Sequence, residues 1–228
     1  MAFIFDVGAH TGEDSAFYLQ KGFSVVAVEA LPEHVQFLRE RFAAESKEGR
    51  FFLEPVAIGA TNEMGTFYVH PDKSDWHTAR PQEWRGTFTP ITIPFVTFDT
   101  ISQRYPLPHY IKVDIEESHA LVIQSLSLSY RPPFVSFECD DTWEASLAHL
   151  DAIGYRGYQV IDQSKHDDWR EPRPAREGTF TGARFNGYMS GLFGLDLPNT
   201  WVTYPEAARS IREAVKSATQ WYDIHARL

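Results

Sequence analysis

The chain has 228 residues, 43% hydrophobic and 14% aromatic, enough apolar side chain for a sizeable core and too much for a disordered segment. A formal net charge of −10 and a pI near 5.3 argue against the basic face that nucleic acid or an anionic membrane would select. The single cysteine, Cys139, excludes an intrachain disulfide and suits a reducing compartment; after an apolar run it reads as a buried, inert thiol.

The segment Met1–Asp6 lacks a basic n-region, and no apolar run is long enough to span a bilayer, so a soluble cytoplasmic protein is expected. Short apolar runs then alternate with helical patterns, the signature of βαβ units and a parallel sheet. Ala2–Val7 reads as a buried strand. A helix follows from about Gly12 to Lys21, with Glu13 and Asp14 in its first turn and Gly22 as its stop. Phe23–Glu29 is a second strand. The next helix starts near Pro32 and carries Leu31, Val35, Leu38 and Phe42 at helical spacing.

Phe51–Ile58 reads as the third strand, Gly65–His70 as an alternating segment, and residues 71–90 as a long loop. Thr92–Val96 and Tyr110–Asp114 are further strands, followed by a helix over about Glu116–Leu126. Pro132-Pro133 forces a break before strand Phe134–Glu138, and Asp141 with Glu144 forms a capping-box variant for a helix ending near Gly154. Tyr155–Ile161 is another strand. Residues 162–187, with Pro172, Pro174, Gly178, Gly182 and Gly187, read as a mobile loop or lid. Thr203 and Glu206 start a last helix bearing Ala207, Ile211 and Val215. These elements predict one α/β domain over residues 1–228, with 71–90 and 162–190 as loops on the substrate side.

The sharpest motif is Asp6-Val7-Gly8-Ala9-His10-Thr11-Gly12, between a strand and a helix. Glycines there let the backbone approach a ligand, and the helix start offers free N–H groups. A dinucleotide fingerprint needs a third glycine and a helix end open to diphosphate. Here Asp6 precedes the glycines and Glu13 and Asp14 follow them, which suits a cationic ligand better. Glu29 ends the second strand, where a carboxylate can accept hydrogen bonds from both hydroxyls of a ribose.

Together with Val28-Glu29-Ala30 and Ile111-Lys112-Val113-Asp114-Ile115-Glu116, this motif resembles the FkbM family of S-adenosylmethionine-dependent methyltransferases. Ala57-Ile58-Gly59 and Thr97-Phe98-Asp99 resemble its intermediate landmarks, and Ser190-Gly191-Leu192-Phe193-Gly194 with Trp201 resembles a late segment of some members. The resemblance implies a Rossmann-like class I methyltransferase fold, with a mostly parallel seven-stranded central sheet flanked by helices. It also implies S-adenosylmethionine as cofactor and methylation of a hydroxyl on a sugar or secondary metabolite. Asp6, Gly8, His10, Gly12, Glu29 and Ala57 then become the expected cofactor-binding residues. His10 replaces the family's Asn, Ala30 its Pro, and Glu117 and His119 stand where the family has Gly and Glu. The chain starts directly at its first strand, so acceptor recognition is expected from loops 71–90 and 162–190 or from another subunit.

Methyl transfer to an alcohol gains from a base that takes the proton, typically about 10²–10⁴-fold. Asp114 lies at the carboxyl end of a strand, where open α/β sheets bind ligands. Glu116 and His119 are three apart at a predicted helix start, sharing one face, and an unperturbed imidazole titrates near neutral pH. Asp114, Glu116 and His119 are therefore the catalytic candidates. No metal is expected, although Asp114, Asp140 and Asp141 have a spacing that would allow Mg²⁺. Trp76, His77, Trp84 and Arg85 in the first long loop either stack on a planar substrate or pin the loop. The expected partner is a small-molecule acceptor, not nucleic acid or membrane, with homo-oligomerisation left open. The rival functions are a non-catalytic cofactor-binding protein of the same fold and an NAD(P)-dependent oxidoreductase.

Overall fold

The computed structural model describes residues 2–73, 77–82, 84, 86–214 and 221–228. The β-branched and aromatic runs form β1 (Phe3–Val7), β2 (Ser24–Val28), β3 (Phe51–Glu54), β4 (Ala57–Ile58), β5 (Glu63–Val69) and β6 (Thr89–Val96). They continue as β7 (Tyr110–Val113), β8 (Phe134–Glu138), β9 (Gly157–Asp162) and β10 (Tyr222–Arg227). The helices are α1 (Glu13–Gln20), α2 (Pro32–Arg41), α3 (Ala43–Lys47), α4 (Phe98–Ser102), α5 (His119–Ile123), α6 (Trp143–Ala152) and α7 (Tyr204–Ala214).

Seven strands build the central sheet in the order β3-β2-β1-β7-β8-β10-β9. Neighbours pair in parallel except around β10, which runs antiparallel to both β8 and β9. Strand order reverses between β1 and β7, and open α/β sheets bind ligands at the carboxyl ends beside such a switch point. Alternating side chains supply both faces. Ile4, Val25 and Ala27 join Phe17, Tyr18 and Leu38 of α1 and α2 in one buried cluster. Phe5, Val7, Val26 and Ile111 join Ile101, Leu147 and Ile211 in the other. The expected fold class and seven-stranded sheet are therefore present. Among the described residues no helix is long and apolar enough to cross a membrane.

Several elements differ from their sequence reading. The run Phe51–Ile58 is two strands, because Pro55 has no N–H to continue the ladder and the chain leaves the central sheet there. Ala57–Ile58 instead pairs with β6, and β6 with β5, in a separate three-stranded sheet. Thr78, inside the expected loop 71–90, bridges Tyr68 through two backbone hydrogen bonds of 2.8 and 3.0 Å. The helix expected over Glu116–Leu126 shrinks to His119–Ile123, because Glu117 adopts φ 60° in a turn closed by Ser118 N–H on the Ile115 carbonyl. Asp140 rather than Asp141 accepts hydrogen bonds before α6, from the N–H and hydroxyl of Thr142 (2.6 and 2.7 Å). Glu206 does serve α7, accepting from the N–H and hydroxyl of Thr203. Val215 lies outside the described residues, and β10 had no signal in the sequence reading.

Residues 162–187 are not a free lid. The buried Lys21 ammonium lies 2.7 Å from Glu171 and 3.0 Å from Asp196, tying this segment and the following one to the end of α1. The second Glu171 oxygen accepts from the backbone N–H groups of Thr181, Gly182 and Ala183. Removing one partner of a buried ion pair leaves an uncompensated charge, typically costing about 3–5 kcal/mol. Lys21→Ala is expected to lower unfolding stability by about that amount, measured by urea titration at neutral pH; a loss below about 1 kcal/mol would place this anchor among weak surface pairs.

Candidate functional site

A cavity of about 530 Å³ opens at the carboxyl ends of β1, β2, β7 and β8. Its back wall is the turn after β1. Gly8 and Ala9 donate their N–H groups to the Val28 carbonyl, folding the turn over the end of β2, and Asp114 donates its N–H to the Val7 carbonyl. Gly8 has φ 88°, and a Cβ there would overlap the Asp114 carbonyl, so only glycine permits this approach.

Behind the wall, the buried Lys112 ammonium lies 3.2 Å from Asp6, 3.1 Å from Asp14 and 3.3 Å from Asp114. It also donates to the Gly8 carbonyl at 3.2 Å. Burial pushes the Asp6 carboxyl up to about 6, against the pull of Lys112. Asp14 accepts the Ser190 N–H at 2.9 and 3.0 Å, bringing the late segment Gly187–Ser190 onto the cavity wall.

At one end Glu29 accepts the His10 N–H and the Leu31 N–H, both at 2.8 Å. Each oxygen keeps a lone pair, and the residue lines the cavity. The rings of His10, His34 and His77 gather beside it, with centroids 4.3 Å apart for the first pair and 6.0 Å for the second. Burial and the neighbouring His34 hold His10 and His77 below the usual imidazole range, so both are neutral at pH 7. The His10 Nε2 atom is buried without a hydrogen-bond partner. Val56, Ala57, Ile58 and Phe67 form an apolar wall nearby. Tyr188 lies over His10, ring centroids 6.4 Å apart, while Asp114, Glu116 and Glu138 stand with Trp221 and Tyr222 elsewhere on the wall. Lys112 is the only lysine or arginine lining the cavity among the described residues.

Of the residues expected from sequence, Gly8, His10, Glu29, Ala57, Asp114 and Glu116 meet around this cavity. Asp6, Gly12 and His119 do not line it. Asp6 is fully buried, accepting from Ser15 at 2.6 Å and holding Lys112. A Cβ on Gly12 would lie 2.6 Å from Phe42 and 2.7 Å from Leu38, so Gly12 admits α2 against the turn instead of touching a ligand. His119 is buried, its Nδ1 3.2 Å from Asp140 and its Nε2 3.1 Å from the Thr142 hydroxyl. Burial lowers its pKa against the pull of Asp140 and Asp141. With both nitrogens engaged away from the cavity, His119 ties α5 to the start of α6 and is not positioned as a base.

Asp114 does not join Asp140 and Asp141; Glu117 does, the three carboxylates lying within 4.8 Å of one another. Asp140 is already taken by Thr142 and His119. Cys139 lines the cavity half-buried rather than in the core, and burial pushes its thiol up to about 12, which keeps it protonated and inert. His77 reaches the cavity, while Trp84 is 73% exposed; Trp76 and Arg85 lie outside the described residues. The sequence reading missed Asp14, His34, Glu138, Tyr188 and Tyr222 as cavity residues. Only Asp14 had a local signal, in the motif that also carries Gly12.

The family model of the FkbM methyltransferase domain matches residues 6–160. Among solved structures, the chain is similar to a methyltransferase FkbM from Methylobacillus flagellatus KT, at 16% identity and a TM-score of 0.48 over 81% of this chain and 42% of that one. It is also similar to a precorrin-6y C5,15-methyltransferase from Geobacter metallireducens GS-15, at 10% identity and a TM-score of 0.44 over 99% of this chain and 79% of that one. The chain thus spans less than half the length of the first of these relatives. No functionally curated protein matches its sequence.

The acid cluster makes stability depend on pH. Burial and the nearby Asp114 push the Asp223 carboxyl up to about 8, far above its unfolded value. A raised carboxyl favours the fold fully below the unfolded pKa, and that contribution is lost as pH rises through the folded one. The lowered histidines oppose this only below about pH 6.5, where the unfolded imidazoles take up protons. Stability is therefore expected to fall between about pH 6.5 and 9, and Asp223→Asn, which can keep the Gln163 contact, is expected to flatten that slope. Urea midpoints across the range measure both; equal slopes would remove Asp223 from the cluster.

Proposed function

Because the chain belongs to the FkbM methyltransferase family, we propose that it transfers a methyl group from S-adenosylmethionine to a hydroxyl of a small uncharged acceptor, a sugar or secondary metabolite. The observation that carries this reading is the charge of the cavity. Glu29, Asp14, Asp114, Glu116 and Glu138 line it against Lys112 alone, a field that favours a ligand bearing an ammonium and a sulfonium. The same field disfavours a phosphorylated acceptor. It also disfavours a dinucleotide, whose diphosphate would meet Glu13 and Asp14 at the start of α1.

The residues present fit the cofactor. Glu29 has lone pairs left for ribose hydroxyls, and the unpartnered His10 Nε2 offers one more polar contact at the same end. Asp14 and Asp114 offer carboxylates for an ammonium, and Ala57, Ile58 and Phe67 an apolar wall for a flat base. When bound, the cofactor supplies an electrophilic methyl group on a sulfonium. The protein's part is positioning, since in-line displacement rests on holding the two reacting atoms in near-attack geometry. Trp221 and Tyr222 present rings suited to stacking on a sugar face, and the carboxylates on the same cavity wall accept from its hydroxyls. Acceptor recognition thus falls to the segments near 77–79 and 187–190. The single cysteine and acidic surface support a cytoplasmic setting and a small-molecule partner.

Calorimetry tests the reading. S-adenosylhomocysteine is expected to bind the wild-type chain and NAD(P) is not. Glu29→Ala is expected to weaken that binding by about 1.5–3 kcal/mol, roughly 10–150-fold, the range for hydrogen bonds to a charged group. NAD(P) binding in preference to S-adenosylhomocysteine would favour the oxidoreductase, and binding without turnover on any acceptor the non-catalytic rival. Methyl transfer is further expected to survive exhaustive EDTA treatment, because Asp140 is committed to Thr142 and His119. Loss of turnover that Mg²⁺ restores would reverse that expectation.

A further inference from the structure

We propose that Glu138, at the end of β8, is the proton acceptor for the hydroxyl that is methylated, a role that rests on the methyltransferase reading above. Strand register sets its height. Val113 of β7 pairs with Phe137 of β8, so Glu138 stands level with Asp114 at the carboxyl edge, and it faces the cavity beside Glu116 and Tyr222.

Asp114, Asp14, Glu29 and His119 are committed elsewhere. Asp114 is engaged by the Lys112 ammonium at 3.3 Å. Asp14 is shared between Lys112 and the Ser190 N–H, and Glu29 between two backbone N–H groups. Both nitrogens of His119 are engaged outside the cavity. The Glu138 carboxyl, by contrast, has no hydrogen bond or ion pair among the described residues. The groups that act on it are all acidic: Glu116 and Asp114 from the turn after β7, Asp223 from β10, and Asp140 from the end of its own strand. Cys139, also on this wall beside Tyr222, is kept a neutral thiol by burial. Burial first, and then these acids, push the Glu138 carboxyl well above the usual carboxylate range. That places its proton affinity nearer the working pH, which a general base needs.

Glu138 takes the proton that the acceptor hydroxyl loses as its oxygen–carbon bond forms, while the electron pair of the broken carbon–sulfur bond stays on sulfur. The carboxylate becomes a neutral acid, the sulfonium a neutral thioether, and the proton later leaves to solvent. A cation arriving in the cavity favours the carboxylate over the acid. Cofactor binding therefore readies the base, and it must also release protons from the protein.

That linkage provides a test that needs no acceptor. Calorimetry in two buffers of different ionisation enthalpy counts the protons released on binding. S-adenosylmethionine, which carries the sulfonium, is expected to release more than S-adenosylhomocysteine, which does not. Glu138→Gln is expected to abolish the difference while keeping S-adenosylhomocysteine affinity within a few-fold. Glu138→Asp, which keeps a carboxyl, is expected to retain it and serves if the Gln variant does not fold. With an acceptor in hand, Glu138→Gln should lower kcat by about 10²–10⁴-fold. No difference in the wild type, or an undiminished one in Glu138→Gln, would overturn the assignment. A wild-type chain that binds neither ligand would instead overturn the methyltransferase reading itself.

Discussion

One buried ammonium organises the ligand edge of this sheet. Lys112 reaches from β7 to Asp6 of β1, Asp14 of α1 and Asp114 at its own strand's end, and to the Gly8 carbonyl between them. Strand, turn and helix are thereby locked at the switch point. Through Asp14 the lock extends to Ser190, 176 residues further along the chain. Three carboxylates on one lysine leave the assembly negative, and two of them, Asp14 and Asp114, also face the cavity. The interaction that holds the site together thus also gives it a field suited to a cation. Stripping the buried Asp6 or Asp14 of the Lys112 ammonium is costly, because a charge is then left uncompensated inside the protein.

The parts legible in the sequence are those written in contiguous residues. β1, β2, β7 and β8 announce themselves as apolar runs, and the Gly8 turn and Glu29 sit at fixed offsets from them. The readings that fail do so where distant packing decides. Gly12 and Gly8 look alike in a motif, yet one faces α2 and the other the Asp114 carbonyl. Asp6 looks like a ligand residue until Lys112 and Ser15 are seen to consume it. His119 had the right spacing from Glu116 for a helix face, but the positive φ of Glu117 breaks that helix and turns the imidazole toward Asp140.

Residues 162–187 show the same limit in another form. Proline, glycine and charge are the composition of a loose loop. Their order comes from partners far away, with Lys21 meeting Glu171 and Asp196 across 150 and 175 residues, and Glu177 meeting His109 at 2.7 Å. Buried charges of this kind carry no local pattern, because each is defined by its counter-ion. They position the backbone that brings Tyr188 and Ser190 to the cavity.

The last strand carries the decisive geometry and had the weakest signal. β10 runs antiparallel, so its beginning rather than its end lies at the carboxyl edge, and Asp223 pairs directly with Glu138. A parallel strand would bring Arg227 there instead, a cation beside the base. The two paired acids then diverge by environment. Asp223 is buried away from the cavity and accepts from Gln163, while Glu138 faces the cavity with no such donor. Asp223 raises the proton affinity of Glu138 and is itself raised by burial and Asp114, so the fold gives up stability as pH rises through these two groups. A cation entering beside Glu138 relieves the same repulsion, which makes the destabilised pair a source of binding energy for a positively charged ligand.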